Sequence, residues 1–64
     1  MEGVDVYILS GENRNKVFSN VAVAEQLEDH VRCVTPEGSE VALKNCTIVL
    51  VDLLKNEILL QKWQ

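Results

Sequence analysis

The sequence has few of the residues on which most enzyme and cofactor sites depend. Its 64 residues include one histidine, two cysteines and three glycines. They contain no Ser/His/Asp set, no glycine-rich phosphate loop and no CxxC pair. A chain of this length also has little room for a concave site with paired acid and base groups. We therefore expect a binding protein and not an enzyme.

Aromatic residues are scarce as well, and Tyr7, Phe18 and Trp63 are the three in the chain. The core must therefore be aliphatic, since 47% of the residues are hydrophobic. A domain of about 60 residues buries only about 60% of the surface that its unfolded chain exposes. Such chains often gain the missing burial by self-association. The sequence predicts a single domain over residues 1–64 that forms a homodimer.

Basic residues are few and scattered, with six Lys and Arg against ten Asp and Glu, for a net charge of −4. Proteins that bind nucleic acids usually carry a basic stripe, because neutralising phosphates supplies most of their non-specific affinity. Acidic residues flank most of the basic residues here. We therefore expect no binding to nucleic acid.

The chain has no long hydrophobic run. Residues 1–3 lack the basic segment of a signal peptide, and the apolar stretch at residues 47–54 is interrupted by Asp52. We expect a cytoplasmic protein without membrane contact. In that compartment Cys33 and Cys46 are expected to be reduced thiols.

Short apolar runs separated by turn residues are what the sequence does have. The runs are rich in Val, Ile, Leu and Tyr and are bounded by Gly, Asn, Pro or Asp, which is typical of β-strands. They predict strands at residues 4–9, 16–18, 30–35, 40–44, 47–52 and 57–62, with turns at residues 36–38 and 53–56. Asp52 is expected to cap the second of these turns. The pattern predicts an all-β fold, a small five- to six-stranded barrel of the SH3 or OB size class.

Residues 20–29 fit two interpretations. Ala, Glu, Gln and Leu are good helix formers, and Ser19 or Asn20 could cap one helical turn. However, Val21 and Val23 alternate as in a strand, and no glutamate follows either cap at the third position. We favour a strand that bends near Ala24, with a short helical turn as the alternative.

The candidate metal ligands and reactive groups are His30, Cys33 and Cys46. His30 and Cys33 are three residues apart, so in a regular strand they point to opposite faces and cannot share one metal ion. His30 is expected to be partly exposed at the start of a strand. Cys33 shares a face with Val31 and is expected to be a core thiol, whereas Cys46 follows a turn and is expected to be the more exposed thiol.

Residues 47–54 are apolar on both faces of the predicted strand. Regular alternation places Ile48 and Leu50 on one face and Val49 and Val51 on the other. A strand of a small barrel turns only one face to its own core, so the second face needs a partner. We expect an isologous dimer whose interface contains Val49, Val51, Leu53 and Leu54.

The order of these signals over nearly the whole chain resembles the CooT-like proteins. The matching segments are residues 6–9, Val21, Val31 followed by residues 36–38, and residues 48–53 and 58–60. The resemblance implies a compact barrel that pairs into a dimer. It also implies a role in nickel delivery to a metalloenzyme that is being matured, whereas other members carry the label of predicted RNA-binding protein. RNA binding is therefore the alternative function.

One departure from that family concerns its metal site. The nickel-binding members begin Met-Cys, and the cysteine thiolate and the freed terminal amine form a nitrogen–sulfur site that suits square-planar Ni(II). This chain has Glu2 at that position, which offers a hard oxygen ligand. The resemblance therefore implies a nickel-handling fold without the thiolate site. Nickel is the one cofactor that the resemblance implies, and the residues themselves assign none.

Overall fold

The computed structural model describes residues 3–63, and this part of the chain consists of strands and turns without a helix. Seven strands follow one another: β1 (Val4–Ser10), β2 (Asn13–Val21), β3 (Val23–Gln26), β4 (His30–Val34), β5 (Glu40–Lys44), β6 (Cys46–Asp52) and β7 (Glu57–Lys62). The predicted all-β class is confirmed. The number of strands is seven because the second predicted strand extends on both sides and the ambiguous stretch adds another.

The strands form two sheets and not one closed barrel. The four-stranded sheet has the order β2-β1-β7-β6, and the three-stranded sheet has the order β3-β4-β5. All neighbours are antiparallel except β1 and β7, the first and last strands, which run parallel at the centre of the larger sheet. The pairing of the first strand with the last thereby brings the two ends of the described chain into one sheet.

Residues 20–26 belong to strands apart from one bend, as favoured, residues 27–29 form a loop, and the stretch contains no helical turn. The bend lies at Ala22, between β2 and β3, and not at Ala24. The Ala22 amide donates to the carbonyl oxygen of Val34 at 2.7 Å. The bend is thus where the chain leaves the first sheet and enters the second. Asn20 precedes it with a φ of 59°, a left-handed conformation that Asn tolerates better than most residues.

The hairpin of β4 and β5 follows its predicted bounds closely. Its turn is closed by the amide of Gly38, which donates to the carbonyl oxygen of Thr35 at 2.9 Å, and Gly38 has a φ of 95°. Such a φ favours glycine, since a Cβ atom is disfavoured there. Pro36 occupies the second position of this turn, where the φ that its ring fixes is favoured.

The core lies between the two sheets and is aliphatic, as predicted. Its buried side chains come from both sheets: Val6, Val21, Val31, Cys33, Cys46, Ile58 and Leu60. Several half-buried side chains pack against them: Val4, Ile8, Phe18, Ala24, Val41, Leu43 and Ile48. With so few fully buried residues, the chain has a small core for its length.

The four-stranded sheet is irregular at both of its edges. The register of β2 against β1 shifts between Val4 and Val6 and again between Val6 and Tyr7. On the opposite edge, Ile48 pairs with Leu60 but Leu50 pairs with Leu59, so Val49 is an extra residue in β6. Each such β-bulge changes which face the following side chains occupy.

Candidate binding surface

Both thiols are buried in the core. Cys33 is buried as predicted, and burial raises the pKa of its thiol. The prediction that Cys46 is the more exposed thiol is wrong, because Cys46 opens β6 with its side chain in the core. Its Sγ also lies 3.4 Å from the carbonyl oxygen of Lys44, to which the thiol donates. A buried thiol is a small hydrophobic group, and neither cysteine is available as a surface ligand or nucleophile in this structure.

His30 lies at the start of β4 and is half-buried, as predicted. It projects away from Val31 and Cys33, which are the buried residues of that strand. Its Nδ1 lies 2.7 Å from Oδ1 of Asp29. This hydrogen bond, helped by the imidazole charge and the more distant Lys44, lowers the pKa of Asp29. The histidine is therefore engaged by a neighbouring carboxylate and faces away from both thiols.

Residues 3–63 contain no group of three or more His, Cys, Asp or Glu side chains arranged to hold a metal ion. The three candidate ligands that the sequence suggests are divided between the core and the outer face of β4. Glu2, where the nickel-binding members have cysteine, lies outside the described residues.

Three of the basic side chains are paired with carboxylates across strands. Arg14 forms a bidentate ion pair with Glu57, in which its two terminal nitrogens donate to the two carboxylate oxygens at 3.0 and 3.2 Å. Lys16 lies 3.3 Å from Asp5. These pairs sit on the outer face of the four-stranded sheet, where the Arg14 guanidinium also lies over the ring of Tyr7 at 4.6 Å.

Arg32 is paired in the same way on the three-stranded sheet. It lies between Glu25 of β3 and Glu40 of β5, at 3.0 Å from each. The hydrogen bond that Arg32 donates to Glu25 and the charge of Glu40 raise the pKa of Arg32. A phosphate that approaches Arg14, Lys16 or Arg32 must therefore compete with a carboxylate that is already in place.

The large apolar side chains that remain exposed are concentrated at one corner of the molecule. Eight such side chains are exposed in residues 3–63, and five of them lie within residues 49–54. We call these five the β6 patch: Val49, Leu50, Val51, Leu53 and Leu54. The first three are about half exposed, whereas Leu53 is 79% and Leu54 99% exposed. An apolar cluster of this kind on a small protein usually marks an interaction site.

The bulge at Val49 corrects the predicted faces of β6. The sequence pattern placed Leu50 with Ile48 on the core face, but Leu50 pairs with Leu59 and is 49% exposed. Val51 pairs instead with Ile58, a core residue, although it remains half exposed at the open end of the sheet. Alternation along the sequence cannot reveal a bulge, which adds one residue without changing composition.

The turn that ends the β6 patch is held in a defined shape. Oδ1 of Asp52 accepts hydrogen bonds from the amides of Leu54 and Lys55, both at 3.0 Å. The predicted role of Asp52 as a cap of this turn is confirmed. Asn56 completes the turn with a φ of 55°. Leu53 and Leu54 are therefore presented to solvent by an ordered hairpin turn.

The patch continues across the outer face of the four-stranded sheet. Leu50 pairs with Leu59, and Leu59 pairs in turn with Tyr7, so these three side chains form one row across β6, β7 and β1. Leu59 and Tyr7 are half-buried. Lys16 of β2 ends the row beside Tyr7. The outer face of this sheet thus carries one apolar row beside its ion pairs.

These features define a small all-β protein with two buried thiols and an exposed apolar patch on β6 and the turn that follows it. Its fold is that of a protein from Carboxydothermus hydrogenoformans assigned as CooT. The two structures superpose with a TM-score of 0.82 over 97% of this chain and 98% of that chain, at 16% sequence identity. The resemblance predicted from the sequence is confirmed for the fold.

The other comparisons add no relative. No family model and no curated protein matches this chain. Within the described part of the chain, no helix is long and apolar enough to cross a membrane.

Proposed function

We propose that this chain is a small non-enzymatic binding protein that works as a homodimer, joined through the β6 patch. Five large apolar side chains gathered in six consecutive positions are the observation on which the proposal rests. Leu53 and Leu54 lie on a turn ordered by Asp52 and the other three lie in β6, so their exposure belongs to a defined surface. Covering an exposed leucine contributes about 1.5–3 kcal/mol, which favours association.

The size of the patch suits a dimer. At these exposures the five side chains present on the order of 500 Å² of apolar surface per copy, and specific interfaces bury about 600–1,000 Å² per partner. Such interfaces are only about 56–65% apolar, so polar and backbone atoms around the patch supply the remainder. In an isologous dimer the same patch of each copy lies in the interface, so each copy covers the exposed patch of the other.

The likeness to CooT supports the further proposal that the dimer takes part in metal handling. The resemblance of the sequence to nickel-handling proteins suggests a metalloenzyme under maturation as the client. Glu2 at the position of the family's cysteine, together with the burial of Cys33 and Cys46, supports a role that does not use a thiolate site. This part of the proposal rests on analogy of fold and sequence pattern.

Light scattering over a range of concentrations tests the homodimer. The wild-type protein is expected to have twice the chain mass at tens of micromolar. Leu54→Asp should raise the dissociation constant about 100-fold, since one leucine per copy is lost and two carboxylates enter the interface. Leu54 is almost fully exposed, so the substitution removes no contact within one chain.

Val23→Asp is the matched control. Val23 is a half-exposed residue of the three-stranded sheet, and the change in charge is the same. It should leave the dissociation constant within about threefold of the wild type. A monomeric mass for the wild type at these concentrations would contradict the proposal.

A further inference from the structure

The two edges of the four-stranded sheet differ in what they offer to another strand. β2 is interrupted by two register shifts, and its exposed residues include Arg14, Lys16 and Asn15. Bulges and charged side chains are common means of keeping an edge strand from pairing with another chain. β6 has one bulge, and no charged residue occurs between Cys46 and Asp52. The β6 edge is the one that lacks charged protection.

The first half of the β6 edge is occupied from within the chain. The side chain of Gln26, at the end of β3, donates from Nε2 to the carbonyl oxygen of Cys46 at 3.3 Å. Its Oε1 accepts from the amide of Ile48 at 2.8 Å. The side-chain amide thus takes the place of a neighbouring strand along residues 46–48. Pairing with another chain is confined to the half of β6 that follows the bulge.

In that second half, the backbone of Val51 faces outward. The amide of Asp5 donates to the carbonyl oxygen of Asn56, and this bond sets the hydrogen-bond pattern of the parallel pair β1 and β7. In that pattern the backbone of Ile58 bonds to β1. The backbones of its neighbours Glu57 and Leu59 bond to β6. Val51 lies opposite Ile58. Its N–H and C=O groups therefore point to the free edge.

We propose that the second copy docks by strand pairing, with β6 of each copy antiparallel to β6 of the other and the two Val51 residues facing each other across the two-fold axis. This inference rests on the proposed homodimer and specifies its geometry. The two backbones exchange hydrogen bonds at Val51. Leu53 and Leu54 of each copy then pack beside the partner's strand, and the two four-stranded sheets form one continuous eight-stranded sheet.

Cross-linking tests this geometry. Facing residues of an antiparallel pair have Cα atoms about 5.5 Å apart, within the range that a disulfide spans. Val51→Cys should form a covalent dimer under mild oxidation, seen on a non-reducing gel as more than half of the protein. Val17→Cys, an exposed valine on the β2 edge, is the matched control and should remain at least tenfold less cross-linked. The two native thiols are buried and should leave the wild type uncross-linked.

A second variant tests the backbone contact directly. Val51→Pro removes an N–H that the β6–β7 ladder does not use, so the monomer should keep its fold, as judged by circular dichroism. Its dissociation constant should rise at least tenfold, whereas Val51→Ile should leave it nearly unchanged.

The outcomes separate this geometry from the homodimer itself. A wild type that is dimeric while Val51→Cys stays uncross-linked would overturn strand pairing and leave the homodimer standing, with face-to-face packing in its place. A wild type that is monomeric would overturn both. If Val51→Pro does not fold, the cross-linking result alone decides the geometry.

Discussion

The two sheets share one core but present different outer faces. In the three-stranded sheet, β4 alternates regularly: Val31 and Cys33 are buried, and His30 and Arg32 face outward to carboxylates. In the four-stranded sheet, the outward row of Tyr7, Leu59 and Leu50 is apolar and leads to the fully exposed Leu54. An outer face of paired charges is already satisfied in a monomer, whereas an exposed apolar row that leads to exposed leucines favours a partner. The proposed dimer surface therefore belongs to the four-stranded sheet.

The largest expected effect concerns metal, for which residues 3–63 offer no group of three or more candidate ligands. We expect weak nickel binding by the wild type. Glu2→Cys, with Met1 removed, should raise the affinity for Ni(II) by orders of magnitude, because a thiolate, an amine and a deprotonatable amide then meet at one site. Calorimetric titration, with the N-terminus verified by mass spectrometry, measures the change.

Glu2→Ser is the control, since it permits the same N-terminus without the thiolate. Tight binding of Ni(II) by the unaltered chain would show that another site exists and would contradict this expectation. Alanine substitutions at His30, Cys33 and Cys46 would then show whether a ligand lies on the outer face of β4 or in the core.

The second effect concerns the junction between the two sheets. Gln26→Ala leaves the Ile48 amide and the Cys46 carbonyl without their side-chain partner at the seam. These groups are only partly shielded from water, so each lost hydrogen bond costs about 0.5–1.5 kcal/mol and unfolding in urea should show a loss of about 1–2 kcal/mol. For a chain of this length, with about 3–10 kcal/mol in total, that is a large fraction.

Gln61→Ala is the matched control for the seam. Gln61 is an exposed residue of β7, and its strand-pairing partners belong to the same sheet. It should change stability by less than about 0.5 kcal/mol. Equal losses in the two variants would mean that the Gln26 side chain does not join the sheets.

The regular parts of the fold were predictable from sequence. The β4–β5 hairpin, with Pro36 and Gly38 in its turn, follows alternation and turn chemistry, and the structure keeps its predicted bounds to within one residue. The cap formed by Asp52 was also predictable, because Asp before a turn accepts from the amides that follow it. Local rules are sufficient where each residue obeys them independently.

The irregular parts were not predictable. The bulge at Val49 exchanged the faces of Leu50 and Val51, and the register that causes it depends on β7. The burial of Cys46 depends on where β6 begins relative to the core. The separation into two sheets depends on the bend at Ala22. Each of these is decided by contacts distant in sequence, and composition contains no signal for them.

A smaller effect distinguishes the core from both outer faces. Burial raises the pKa of Cys33, so the folded protein keeps this thiol neutral at pH values where the unfolded chain ionises it, above about 8.5. The contribution of this group to stability is therefore complete below that pH and is lost as pH rises above it. The loss has a slope of at most about 1.4 kcal/mol per pH unit.

Urea denaturation at pH 7.5 and pH 9.5 measures this effect. Cys33→Ala should be less stable at both values, but the difference between them should be smaller than in the wild type. Cys46→Ala serves as the control because it creates a comparable cavity and keeps Cys33. A wild-type stability that does not fall at pH 9.5 would contradict the assignment.

The smallest expected effect is no change at all when RNA is added. Cations of both sheets are already paired, Arg14 with Glu57 and Arg32 with Glu25 and Glu40. A phosphate that approaches them meets these carboxylates well within the Debye length of about 8 Å at physiological salt. Each contact would also have to replace a charge-assisted hydrogen bond that is already formed. Fluorescence anisotropy with a mixed-sequence single-stranded oligonucleotide should therefore give no transition up to tens of micromolar protein.

Glu57→Gln, which releases Arg14, should remain without a transition, because one freed cation contributes only one phosphate contact. A salt-sensitive transition at micromolar wild-type protein would instead support RNA binding, the alternative function. The RNA would then bind to a surface away from these ion pairs.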